Sequence, residues 1–124
     1  MNDSTTLNRV AIIGGARIPF CRSNTNYRDL SNQKMMAHSI NALVDKYHLQ
    51  GKHIGEVSLG AVISHSRDWN LAREVVLDTD LAPSTPAYNV QQACGTSLQT
   101  TINVANKIAL GQIESGIVVF GRRR

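Results

Sequence analysis

The stretch Asn89-Val90-Gln91-Gln92-Ala93-Cys94-Gly95-Thr96-Ser97-Leu98-Gln99 places a thiol where an extended run gives way to a helix. Upstream, "TPAYNVQQ" carries a proline, a tyrosine and a valine and reads as a short strand. Downstream, Leu98, Ile102, Ala105, Ile108 and Ala109 recur at helical spacing as far as Gly111, a stop signal. Unpaired N–H groups and the dipole at a helix start favour an anion, and the thiolate is the nucleophilic form of cysteine. Cys94 therefore stands where a thiol can attack a carbonyl. A lone cysteine is also a common packing residue, and position alone leaves both readings open.

Other side chains could share such a site. Ser64-His65-Ser66 and Gly14-Gly15-Ala16-Arg17 each follow an apolar run that reads as a strand, so both could reach one rim with Cys94. His65 is there a candidate base and Arg17 a candidate anion ligand. Gly95 either lets substrate approach the thiol or simply marks the junction. Cys21, after "RIPF" in a polar loop, reads as an inert thiol. His38, His48 and His53 read as solvated, and the Met35-Met36 pair as core or subunit contact. The two cysteines lie far apart and match no metal or disulfide framework; a reducing cytoplasm is the simplest setting.

The elements that must position these residues follow from the apolar pattern. Val10 to Ile13 form a continuous apolar run ended by two glycines, which suits a strand buried on both faces. Met35, Met36, Ile40, Leu43, Val44 and Tyr47 make a helical stripe stopped near Gly51. "EVSLGAVISH" reads as a second buried strand with Gly60 in its middle. "DWNLAREVVLDTDL" reads as a shorter helix capped by Asp68 or Asn70, and "SGIVVFG" as a last strand. The order β-α-β-α-β-α-β implies a largely parallel sheet with helices on both faces. In such sheets ligands bind beyond the carboxyl ends of the strands, where Cys94 falls.

Composition excludes several classes. The chain has 124 residues, 42% of them hydrophobic, enough for one core, and no apolar run of the ~18 residues a membrane span needs. "MNDSTTLNRV" lacks the basic and apolar regions of a signal peptide. Of the net charge of +4, three charges are the terminal Arg122-Arg123-Arg124, which read as a solvated tail, and no basic patch interleaves with aromatics. Nucleic acid is not an expected partner. "GGARIP" lacks the G-x-G-x-x-G spacing, and neither a Walker loop nor a G-x-S-x-G elbow occurs.

Three segments together resemble the thiolases: "GGARIPF", "WNLAR" (Trp69 to Arg73) and "VQQACGTSLQ", in family order over nearly the whole chain. The wording from Asn89 to Gly116 looks like the acetyl-CoA C-acyltransferases of bacterial fatty-acid oxidation. The resemblance implies thiolytic cleavage of a 3-ketoacyl-CoA by CoA, or the reverse condensation, with Cys94 taking the acyl group as a thioester. It implies no metal or redox cofactor, CoA thioesters as substrates, a homo-oligomeric full-length enzyme, and a fatty-acid-oxidation subunit as a further partner. A full thiolase is much longer and has two related halves. Residues 1–124 therefore correspond to an incomplete N-terminal thiolase-like domain, without the loop region, the C-terminal half, the family's histidines or its second cysteine. The family continues with Gly-Gly where this chain reads "VVFGRRR". The expectation is a nucleophile without its base, an uncovered apolar face and no turnover by this chain alone. A beta-ketoacyl-synthase-like condensing domain and a non-enzymatic truncated product are the rival readings.

Overall fold

The computed structural model describes residues 6–121. The termini at 1–5 and 122–124, and with them the arginine tail, lie outside the described residues. Helix α1 spans Asn32–Tyr47; Ser31 caps it, its hydroxyl accepting from the Lys34 N–H at 3.1 Å, and His48 closes it in the left-handed region at φ 54°. Strand β1 (Glu56–Ala61) is buried throughout, as a central parallel strand must be. A 3-10 turn at Ser66–Asp68 leads to helix α2 (Leu71–Leu77), which Asn70 caps by accepting from the Arg73 N–H. Strand β2 (Ala87–Asn89), a 3-10 turn at Ala93–Gly95, helix α3 (Thr96–Ala109) and strand β3 (Gly116–Gly121) complete the chain.

Among the described residues the three strands form one parallel sheet in the order β2-β1-β3. Side-chain alternation sorts the helices onto its two faces. Val57, Leu59 and Ala61 point into the main core, with Met36, Ile40 and Val44 of α1 and Leu71, Val75 and Val76 of α2. Glu56 and Gly60, of the other parity, face α3: Lys107 pairs with the Glu56 carboxylate, and Gly60 lies under Thr96. The Glu56 hydrogen bond raises the Lys107 ammonium above its usual range, opposed by a smaller desolvation effect. Lys107 also lies over the Tyr88 ring at 4.8 Å. The α3 layer thus joins the sheet through small residues, a charge pair and Val104, which packs where Gly116 has no side chain.

Two expectations are corrected. Val10 to Ile13 do not form a strand: Ile12 is 87% exposed and Ile13 83%. The segment is tied instead to the end of α3, the Asn8 N–H donating to Ala109 O at 2.9 Å, and to α1 through Tyr47 and Ile13 O. Apolar composition suits burial but does not by itself pair a strand, and among the described residues this segment joins no edge of the sheet. Leu7, Val10 and Phe20 are exposed with it, an uncovered apolar surface. Second, because no strand precedes them, Gly14 to Arg17 do not sit at a strand end; the Arg17 guanidinium lies 6.0 Å from the Phe20 ring.

Gly60 is the tightest point of the α3 face. A Cβ there would overlap both Val90 O and the Thr96 methyl, and backbone cannot yield as a flexible side chain can. Gly60→Ala is expected to lower unfolding stability by about 1–3 kcal/mol, the usual cost of overpacking. Urea melts followed by circular dichroism check this; an unchanged midpoint would show that the loop above Gly60 gives way freely.

Candidate active site

Six hydrogen bonds fix the course of the chain into Cys94. The Val90 N–H donates to Leu59 O at 2.9 Å, extending the pairing of the β2 end with β1. Asn89 turns its side chain to α2: Oδ1 accepts from the Ala72 N–H at 2.7 Å and Nδ2 donates to Trp69 O at 3.0 Å. The Gln91 amide donates to Val62 O at 2.9 Å. Thr96, fully buried, closes the loop: its hydroxyl accepts from the Gln92 N–H at 2.9 Å and donates to Ala93 O at 2.8 Å.

Ala93, inside this closed loop, has φ 44°. A non-glycine residue held there costs on the order of 1–3 kcal/mol and persists only where its surroundings over-determine it. Here the Thr96 bridge and the strand contact supply that determination. The next residue is Cys94, which is exposed. It sits in the 3-10 turn, with Gly95 between it and α3, beyond the carboxyl ends of β1 and β2. An exposed thiol on a constrained turn is geometrically ready for attack on an incoming carbonyl and for acting as the leaving group afterwards.

The "WNLAR" segment has a structural purpose visible in the bonds. Asn70 caps α2, and Ala72 presents the N–H that Asn89 holds. The Arg73 guanidinium donates to Thr85 O at 2.9 Å and to Pro83 O, clamping the loop that enters β2. Three residues of one motif thus brace the strand that delivers the thiol.

The remaining candidates separate. His65 is exposed and lines a cleft of about 250 Å³ beside the β1 end; Cys94 is not among the residues lining that cleft. No hydrogen bond joins His65 to Cys94 among the described residues. Gly95 has no special steric task, since a Cβ there would lie 3.5 Å from the Gln92 amide, an ordinary contact. The glycine that packing demands is Gly60, whose signal was a glycine inside a buried strand pattern. Cys21 is half-buried; its side chain, after desolvation, helps push the Tyr27 phenol up from its usual range. His38 and His48 are exposed, and His53 Nδ1 lies 3.0 Å from the Ser84 hydroxyl. Met35 and Met36 are core. No group of three metal-ligating side chains occurs among the described residues, and no helix there is long and apolar enough to cross a membrane.

Fold and loop together define a parallel α/β unit that presents a thiol beyond its strand ends. Residues 10–121 match the family described as "Thiolase, N-terminal domain", and the chain belongs to the thiolase family. It is 40% identical over 109 residues to the 3-ketoacyl-CoA thiolase of Shewanella loihica (strain ATCC BAA-1088 / PV-4). It is 39% identical over 109 residues to that of Shewanella piezotolerans (strain WP3 / JCM 13877). Each alignment covers 88% of this chain and 25% of the relative, so the chain spans about a quarter of the length of these relatives. Two solved structures share the fold. The acetyl-CoA acetyltransferase from Syntrophomonas wolfei superposes with a TM-score of 0.83 at 19% identity, over 90% of this chain and 28% of that one. The Bacillus anthracis acetyl-CoA acetyltransferase gives 0.83 at 23% identity, over 96% and 30%.

The Thr96 bridge is open to a direct test. Thr96→Val leaves the Gln92 N–H without its acceptor and takes one of two donors from Ala93 O, the Thr96 backbone N–H remaining, and is expected to cost about 1–3 kcal/mol. It is also expected to erase the faster alkylation of Cys94 relative to Cys21 by iodoacetamide, read by mass spectrometry of the two peptides. Thr96→Ser, which keeps the hydroxyl, should retain that preference. Equal labelling of Cys94 and Cys21 in the unaltered chain would remove the argument that the turn presents the thiol.

Proposed function

We propose that this chain is the N-terminal part of a thiolase and that Cys94 is its acyl-accepting residue. The observation that carries the reading is the exposed Cys94 on the turn braced by Thr96, in a chain whose relatives are 3-ketoacyl-CoA thiolases. In the reaction, the Cys94 thiolate attacks the ketone carbonyl of a 3-ketoacyl-CoA. The bond between that carbonyl carbon and its neighbour breaks, the departing carbon is protonated to give acetyl-CoA, and the shortened acyl group remains on sulfur. CoA thiol then attacks the thioester and releases Cys94. The reverse sequence is a Claisen condensation. CoA thioesters are the substrates and no metal or redox cofactor takes part.

The setting we propose is bacterial fatty-acid oxidation in the cytoplasm, by a homo-oligomeric full-length enzyme working beside another fatty-acid-oxidation subunit. Residues 1–124 then form an incomplete domain. The high exposure of Ile12, Ile13 and Phe20 supports this, since large apolar side chains from one segment are ordinarily covered in a finished fold.

On this reading the chain alone does not turn over. It holds the acyl acceptor, whereas thiolysis also needs a base for the CoA thiol, donors for the developing oxyanion and a seat for CoA. Missing general-base help costs about 10²–10⁴-fold, and each missing oxyanion donor about 10²–10³-fold. Loss of acetoacetyl-CoA on adding CoA, with Cys94→Ala as control, is expected to stay at background for both proteins. Robust turnover abolished by Cys94→Ala would contradict the incomplete-domain reading and make His65 the next residue to replace.

A further inference from the structure

We propose that the outer face of α3 is an interface between two copies of this chain, which meet there as an antiparallel helix pair about a two-fold axis. The sequence puts Leu98, Ile102, Ala105 and Ala109 on one line of the helix, within about 60° of arc at ~100° per residue. A stripe of that kind ordinarily faces the core. Here it faces away. The residues that α3 turns to the sheet are Thr96, Thr100 and Val104, all buried, on the opposite side of the helix. Leu98 is left 66% exposed and Ile102 42%, with Ala105 and Ala109 half-buried between and beyond them. The apolar line of the helix is the one this fold leaves uncovered.

Charge and side-chain size point to a second copy as the occupant. A helix face made for water ordinarily carries charges, but Lys107 is the one charged residue of α3, and Glu56 holds its ammonium on the sheet side. The polar residues at the margins of the stripe are satisfied within the helix. The Thr101 hydroxyl donates to Ser97 O at 2.8 Å, and the Gln99 amide donates to Asn103 Oδ1 at 2.7 Å. The stripe therefore holds no charge that would repel its own copy. Size sets the register. In an antiparallel pair, Leu98 of one copy stands opposite Ala109 of the other and Ile102 opposite Ala105, and both pairings share one centre, between Asn103 and Val104. Each large side chain meets a small one on both sides of the axis, as a self-complementary two-fold interface requires. This match of the stripe with its own reverse selects a second copy over an unrelated apolar surface. The inference does not rest on the acyl-transfer reading, since Cys94 precedes the helix and takes no part in the stripe.

One helix pair is smaller than a standard interface, so sedimentation equilibrium of the reduced chain is run across roughly 1–300 μM, the range of a weak dimer. The expected result is monomer at the low end, converting to dimer and growing no further. Ile102→Lys sets a charge in the middle of the stripe and is expected to weaken the dimer about tenfold or more, with the circular dichroism of the chain unchanged. Ile102→Ala combined with Ala105→Ile exchanges large and small about the same centre and is expected to associate as the unaltered chain does, whereas Ile102→Ala alone weakens it. Should Ile102→Lys not fold, Leu98→Gln, at the more exposed position, takes its place. Monomer at every concentration would overturn the proposal and leave the face to another occupant. Growth past the dimer without a plateau, or a dimer undiminished in the folded polar variant, would overturn it as well. So would failure of the folded exchange variant to associate. Should no variant fold, the concentration series of the unaltered chain decides: a plateau at the dimer supports the interface, and any other course overturns it.

Discussion

Between Gly60 and the backbone of Val90 there is no room for a side chain, and the rest of the site is arranged around that close approach. Because β1 has no Cβ at this point, the chain leaving β2 can cross over the strand end instead of bulging away. The Val90 N–H then reaches Leu59 O, and the Thr96 methyl settles into the remaining space. With Thr96 fixed there, its hydroxyl can hold Gln92 and Ala93 together, and Ala93 is kept at a positive φ. The strain at Ala93 and the exposure of Cys94 are two consequences of one packing constraint. The main core on the opposite face, from Met36 to Val76, keeps β1 in place while this happens.

The α3 face is held by different forces from the α1/α2 face. One side of β1 contributes Val57, Leu59 and Ala61 to an apolar cluster; the other contributes a carboxylate, a serine and a glycine. Lys107 answers Glu56 from α3, and the pair is worth its desolvation only because one partner stays near water: the Lys107 side chain is 37% exposed. Such a face can carry a helix whose N-terminal end is committed to presenting a thiol. It does not require that helix to be buried, and Leu98 and Ile102 remain exposed.

Much of this was legible in the residues. The stripe from Met35 to Tyr47, the buried run at Glu56, the short strand before Cys94 and the helix after it all follow from period and punctuation. So did the placing of Cys94 beyond the strand ends. The run from Val10 to Ile13 was misread because hydrophobicity specifies a wish for burial but not the partner edge that makes a strand. His65 and Cys94 were both placed beyond strand ends, yet a shared rim does not bring two side chains together. The importance of Gly60 over Gly95 was hidden for a similar reason: which glycine is crowded depends on what crosses it, and Val90 and Thr96 are distant from Gly60 in sequence.

The turn over Gly60 presents Cys94, on the reading proposed above, as an acyl acceptor. Incubating the folded chain with acetyl-CoA and mapping the peptides by mass spectrometry measures this without requiring turnover. The expected result is a hydroxylamine-labile acetyl adduct on the Cys94 peptide, accumulating faster than any on the Cys21 peptide and disappearing in Cys94→Ala. An adduct distributed equally between Cys94 and Cys21, or found only on Cys21, would contradict it.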